Sequence, residues 1–484
     1  MCAVTRVPSA VGLAGLLAGA AITLACQGAT ERPADRYEIE NLPSDRGFPA
    51  PEHVLLGAVF ADNLAATRRH AWELWAGLTS PSRSVWDGQR LPVFETWYTI
   101  PEVFTAEGRP RVRGPFSHGY HAPAQSALAM SNKGGPSANI MSFVKYNETA
   151  AGAIWDNRYH LSATLVALRA RFDRERTPVV ERNITPLPPG AVALKLVFWL
   201  VKRADSPQSE QGLTALPYWD PQSRPDAGQL PIHTAWKKAV AVDPAGRYPV
   251  GSLQRVNVNG TLARPNYQLV PVVPLSHFYA HRLDDPQEVE NARVFAATLS
   301  SAAGDQERFV TNAGQTPELG DYVVLLAMHV TTKEMADWTF QTFWWTPAST
   351  DAPFGHDRPS SVTAPFDNYA MCTAYSTVTP RASDGGLPIC FNPYLEADLG
   401  PTKAYVFEGK TYPADLQAGT RSNCMNCHRR AGYPAFEDGN PASADFGRVF
   451  NDGFRSPEAP YFAPLVKTDF LWSIALKAVS PPKQ

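Results

Sequence analysis

Cys424, Cys427 and His428 stand in the run Cys424-Met425-Asn426-Cys427-His428, two thiols separated by two residues and followed at once by an imidazole. A C-x-x-C-H pentapeptide is the attachment signature of c-type haem. The two thiols reach the two vinyl groups of one porphyrin, and the adjacent histidine falls beneath the iron as its proximal ligand. One motif implies one haem c, covalently attached. A thioredoxin-like pair would open a helix directly after a buried strand, whereas the residues from Gln417 to Asn423 read as polar loop. A zinc knuckle would need a second ligand pair at short range, and no Cys or His follows His428.

The far side of the iron has fewer candidates, because no methionine follows Met425. A sixth ligand must come from the residues before the motif, or the position is open. His329 lies in Tyr322-Val323-Val324-Leu325-Leu326-Ala327-Met328-His329-Val330-Thr331-Thr332. Strand alternation puts it on the face that turns polar, and Met328 on a wholly apolar face that reads as core. Met371 is the alternative. A lone histidine on a strand is as a rule a hydrogen-bonded structural residue, and that reading stands beside the ligand one. Arg421, Arg429 and Arg430 flank the motif and read as solvated loop charges, with haem propionates as the alternative partners. His118 and His121 stand three residues apart among Gly and Pro, without a nearby carboxylate, and read as loop hydrogen-bonders rather than as a metal site. No G-x-S-x-G elbow, H-E-x-x-H pair or phosphate-binding glycine loop is present, so no catalytic residue is assigned.

The start of the chain agrees with chemistry done outside the cytoplasm. Arg6 is followed by an uncharged apolar run from Val11 to Ala25 and then by polar residues, short for a membrane span and suited to a signal-peptide core. Thr23-Leu24-Ala25-Cys26 also has the form of a lipobox, in which Cys26 becomes the lipidated first residue; ordinary cleavage is the equal alternative. With Cys2 and Cys26 spent on the leader and Cys424 and Cys427 on haem, Cys372 and Cys390 remain of the 6 cysteines. In an oxidising compartment two leftover thiols are expected as a disulfide, here a staple on the loop that leads to the motif. Lys plus Arg is 44 and Asp plus Glu 46, a balance that indicates neither a nucleic-acid partner nor a charged membrane surface.

The elements that must position these residues follow from periodicity. Leu55, Val59, Leu64, Trp72 and Trp75 predict a helix within Pro51 to Thr79, and Ile154, Leu161, Leu165, Leu168 and Phe172 a second one over 154–174. Strands are predicted at 191–202, 234–242, 267–275, 322–332 and 337–345, with helical character from Gln287 to Leu299 and near Asp469 to Val479. No element is assigned to 346–423. The class is α+β, an antiparallel sheet or sandwich with flanking helices and a small C-terminal helical and loop segment that binds haem. The expected division is a signal peptide at 1–25, a linker at 26–50, a large domain at 51–365 and a haem-binding region at 366–484.

In order along the chain stand Thr96-Trp97 with Glu102-Val103-Phe104, Leu196-Val197-Phe198-Trp199, His329-Val330-Thr331-Thr332-Lys333-Glu334 with Trp338-Thr339-Phe340, the haem motif, and Lys467-Thr468-Asp469-Phe470-Leu471-Trp472-Ser473-Ile474. This ensemble resembles a group of large exported bacterial cytochrome c family proteins with one C-x-x-C-H near the C-terminus. The resemblance implies haem binding and export, and no reaction.

The leading expectation is an exported mono-haem c-type cytochrome in the periplasm, soluble or lipid-anchored, exchanging single electrons with a periplasmic partner protein. The long chain before the motif keeps two alternatives open: a haem enzyme of peroxidase or oxidase type with an open iron position, and a sensing or binding module.

Overall fold

The computed structural model describes residues 38–43, 47–86, 88–110, 140–220, 236–260, 265–293, 315–351, 353–378, 390–396, 405–407, 410–412, 424–435 and 456–480. The signal-peptide segment with Cys26, the His118 and His121 pair and Arg421 lie outside them.

The expected first helix is two, Glu52–Phe60 and Leu64–Leu78. The break has a local cause. Asp62 takes a left-handed φ of 52°, and the Asn63 side chain accepts a hydrogen bond from the Ala66 amide, capping the second helix. The next pair, Glu148–Asp156 and Ser162–Glu175, divides the second expected helix at Arg158, which takes a left-handed φ of 58°, while the Asn147 side chain caps the start of the first by accepting from the Ala150 amide.

The strands, in chain order, are β1 (Pro81–Trp86), β2 (Gln89–Pro92), β3 (Tyr98–Thr99), β4 (Ile140–Tyr146), β5 (Val192–Val201), β6 (Thr214–Pro217), β7 (Ala239–Asp243), β8 (Leu253–Asn257), β9 (Tyr267–Pro274), β10 (Ala280–Arg282), β11 (Tyr322–Thr332), β12 (Thr339–Trp345), β13 (Tyr369–Ala374), β14 (Tyr405–Phe407), β15 (Lys410–Tyr412), β16 (Gly432–Tyr433) and β17 (Val466–Lys467). The central sheet runs β13-β12-β11-β5-β4-β3, with β10 paired to the start of β11. All of its pairings are antiparallel. A smaller sheet, β6-β7-β9-β8, joins β7 and β9 in parallel, so the second sheet is mixed where an antiparallel one was expected. The chain is thus α+β.

Register assigns the two faces of the central sheet, because directly paired residues share a face. Phe343 pairs with Met328 on one side and Met371 on the other, and its ring stacks on Trp75 with centroids 4.2 Å apart. That face is covered by the helix Leu64–Leu78. Arg68, 3% exposed, donates there to the Met371 carbonyl and to Asp357. Met371 therefore points to the helices, away from the side that carries His329, and cannot serve as the alternative axial ligand. Met328 is core on the same face, as its alternation implied.

The opposite face holds Lys195, His329, Thr342 and Cys372 in one row across four strands. The C-terminal segment packs here, and the expected boundary at 365 does not separate it. β13 lies beyond that boundary yet belongs to the central sheet. Cys424, Met425, Val466, Leu471 and Ile474 join the same buried cluster as Trp72, Trp75 and Phe343. Backbone bonds sew the end of the chain to the earlier part: Ile184 donates to Lys467, Lys467 to Arg182 and Val479 to His160. Apart from the small cluster of Tyr461, Phe462 and Leu465, the end of the chain takes its core from the sheet.

Because Trp75 is fully buried and its indole donates to the Phe366 carbonyl at 3.1 Å, Trp75→Ala is expected to cost about 3–5 kcal/mol of folding stability. Denaturant unfolding checks this; a loss under about 1 kcal/mol would mean that the helix does not seal the sheet.

Candidate functional site

The motif Cys424–His428 forms one short helix, which brings both thiols and the imidazole, at i, i+3 and i+4, to one side of it. Three contacts hold it. The Cys424 amide donates to the Cys390 carbonyl at 3.2 Å, the Asn426 side chain donates to the Thr377 carbonyl at 3.1 Å, and the Trp472 indole donates to the Cys427 carbonyl at 3.2 Å. Cys390 is disulfide-bonded to Cys372 with a Cα separation of 5.8 Å, and Cys372 sits on β13 opposite Thr342. The disulfide thus ties the residue that receives the motif's first amide to the site-facing side of the sheet. Cys424 and Cys427 are the free cysteines of the described residues, and both are buried.

His428 is oriented from both sides. Its ring lies 5.0 Å from that of Phe340 on β12. Its Nδ1 is 2.7 Å from the Phe470 carbonyl oxygen. A carbonyl only accepts, so Nδ1 carries the proton and Nε2 keeps the lone pair. Burial, opposed by that hydrogen bond and reinforced by the charges of His329 and Lys195, pulls the imidazole down to about 4, so it is neutral near pH 7. A metal-bound histidine has these properties: neutral, with the second nitrogen donating to a backbone carbonyl. Burial pushes Cys427 up to about 12 and raises Cys424 well above its usual value, so both sulfurs carry protons, in the state from which a thiol adds across a vinyl group.

The Phe470 carbonyl is delivered by an irregular turn. β16 pairs with β17 as Gly432 with Lys467 and Tyr433 with Val466, and the Thr468 amide extends the ladder to the Ala431 carbonyl at 3.0 Å. Gly432 eases this approach: a Cβ would lie 3.0 Å from Leu465 Cδ1 and 3.1 Å from its Cβ, so that Leu465 would have to give by a few tenths of an ångström. Leu471 then donates back to the Thr468 carbonyl at 2.9 Å, closing a turn over Asp469 and Phe470. Both central residues have left-handed backbone, φ 48° and 66°. Turns with positive φ at both positions are ordinarily built from Asn-Gly or Asp-Gly, and a bulky residue there costs about 1–3 kcal/mol. The Asp469 carboxylate offsets it, accepting from Lys333 Nζ at 2.8 Å and from the Leu187 amide at 2.8 Å.

His329 lies on the sheet face covered by this assembly, 8% exposed. Its Nε2 is 3.4 Å from Glu396 Oε1, and it pairs across the ladder with Lys195 and Thr342. Asn392 fixes Glu396 from the other side, its amide donating to Oε2 at 2.5 Å, while its side chain donates to Thr342 Oγ1 at 2.7 Å. Burial alone would raise the Glu396 carboxyl, but His329, the Asn392 amide and Lys195 together hold it below its usual range. Lys195 is drawn down to about 8 by burial, against the opposing charge of Glu396. The structure therefore gathers His329, Lys195 and Glu396 on the sheet face that receives the C-x-x-C-H helix.

Sequence reasoning named His329 and missed Lys195 and Glu396. A lysine inside the apolar strand Val192–Val201 was the available signal for the first. Arg430 departs from a solvated charge: it is 1% exposed, with Nη1 donating to the Asn426 carbonyl at 3.1 Å. Arg429 Nη1 lies 3.0 Å from Asp337.

Loss of the disulfide releases a loop of 18 residues, and Cys372→Ser with Cys390→Ser is expected to lower stability by about 3 kcal/mol in the chain-entropy account. Unfolding of the double variant against the oxidised parent checks this, and equal midpoints would contradict it.

A scan against protein-family models and searches among curated proteins and solved structures returned no match.

Proposed function

We propose that this chain is an exported mono-haem c-type cytochrome of the periplasm that passes single electrons to or from a partner protein. The observation that carries the reading is His428: a neutral imidazole whose Nδ1 proton is committed to the Phe470 carbonyl, on one helical turn with two free, buried thiols. Cys424 and Cys427 would hold the haem and His428 its iron, and the group would supply one-electron chemistry there. The chain contributes orientation through Phe340 and Phe470, exclusion of water through the sheet face, and a disulfide that assumes an oxidising compartment. Attachment to a membrane would run only through lipid on Cys26; among the described residues no helix is long and apolar enough to cross one.

On this reading His329 would be the second protein ligand of the iron. It is a buried histidine on the sheet face that carries Phe340, against which the His428 ring rests, and no methionine follows the motif. A second reading, a haem enzyme or a sensing module with an open iron position, is favoured by the Lys195, His329 and Glu396 cluster, since ionisable groups gathered in a buried site are a common mark of reactive centres.

Two measurements test these readings. Denatured protein is expected to keep its haem through acid extraction, with its mass raised by one haem, and Cys427→Ser to lose normal covalent loading; a haem that extracts freely would refute attachment. The electron-transfer reading predicts a low-spin spectrum indifferent to carbon monoxide, which His329→Ala converts to a high-spin, carbon monoxide-binding form. A parent protein that is high-spin and binds carbon monoxide would instead establish the second reading, and an unchanged His329→Ala spectrum would remove His329 as ligand.

A further inference from the structure

We infer that Asp469, held by Lys333, is the positioning residue of the proximal histidine, and that this pair tunes the iron through the Phe470 carbonyl. The inference rests on the proposed ligation of haem by His428. Three observations converge on it. The turn that presents the Phe470 oxygen to His428 Nδ1 has two consecutive non-glycine residues at positive φ, a conformation that persists only when the surroundings determine it. The side chain that determines it is Asp469, whose two oxygens are separately engaged, Oδ1 by Lys333 Nζ and Oδ2 by the Leu187 amide. Lys333 is itself immobilised. It is 7% exposed, its Nζ also donates to the Ala336 carbonyl at 2.7 Å and lies 5.3 Å from the Trp338 ring centroid, and its backbone exchanges bonds with Gly190 and Ala191.

The geometry has a further consequence. Lys333 directly follows β11, the strand that carries His329. One ion pair therefore links the end of the strand that carries His329 to the turn that presents the Phe470 carbonyl to His428, and fixes both relative to the sheet. A carbonyl held on Nδ1–H makes the imidazole a stronger donor to a metal and favours the more highly charged iron. Releasing the turn should weaken that donation.

The test uses holoprotein variants Asp469→Ala and Asp469→Asn, read by intact mass, by the reduction potential of the iron and by the proton-exchange protection of His428 Nδ1. Asp469→Ala is expected to keep covalent haem, to lose Nδ1 protection and to shift the ferrous-to-ferric ratio about tenfold towards ferrous, a rise of about 59 mV for one electron. Asp469→Asn, which tolerates the left-handed turn and keeps an acceptor for Leu187, is expected to fall between parent and alanine. Should the alanine variant not fold, Asp469→Asn and Lys333→Met carry the same expectation in the same direction. Haem-loaded variants whose potential and Nδ1 protection equal those of the parent, with only stability lowered, would overturn the inference and leave a structural ion pair. Absence of covalent haem in the parent would instead overturn the proposed function.

Discussion

An imidazole offers a lone pair from one nitrogen only while the other nitrogen holds its proton, and in this chain a single backbone carbonyl makes that choice. The bond from His428 Nδ1 to the Phe470 oxygen decides tautomer and ring orientation together. Everything around it serves to hold two short segments, far apart in sequence, in register. β16 and β17 set their distance, Gly432 allows their approach, and the turn over Asp469 and Phe470 aims the carbonyl. The sheet supplies the wall against which the ring rests, through Phe340.

The large part of the chain then has a physical reason to exist. A motif helix of five residues cannot nucleate or persist unaided, and its buried Cys424 and Met425 belong to the core built on the central sheet. It borrows a face of the central sheet, while the other face is sealed by the helix Leu64–Leu78 through Trp75 and Phe343. The disulfide between Cys372 and Cys390 and the Cys424 amide bond to Cys390 complete the attachment on the side away from the turn. The sheet also places Lys195, His329 and Glu396 against the motif. These groups give the site its charge pattern, with the Glu396 carboxyl held below its usual range, against its burial, by His329, the Asn392 amide and Lys195.

Much of this was legible in the residues. The strand Tyr322–Thr332 was bounded correctly because its apolar run is long and ends where threonines begin, and its alternation put His329 and Met328 on opposite faces as found. The C-x-x-C-H spacing and the pairing of the leftover cysteines needed no tertiary information. Other features did not show. The first two expected helices each divide in two, because left-handed backbone at Asp62, followed by the Asn63 cap, and at Arg158 interrupts patterns that periodicity alone joins. β13 escaped notice since Tyr369-Ala370-Met371-Cys372-Thr373-Ala374 is short and mixed, and with it went the continuity of the sheet beyond 365. The contact of Phe470 with His428 could not be read at all, because it depends on the register of two strands of two residues each and on backbone angles that Asp-Phe rarely adopts.

The account stands on both thiols being joined to one porphyrin whose iron His428 holds. The reduced pyridine adduct of the purified holoprotein tests this most directly, since its visible band reports how many vinyl groups have been saturated by sulfur. The account predicts the band of a haem with two thioether bonds, at one equivalent per chain. A band of unmodified protohaem, or of a haem with one remaining vinyl group, would contradict it.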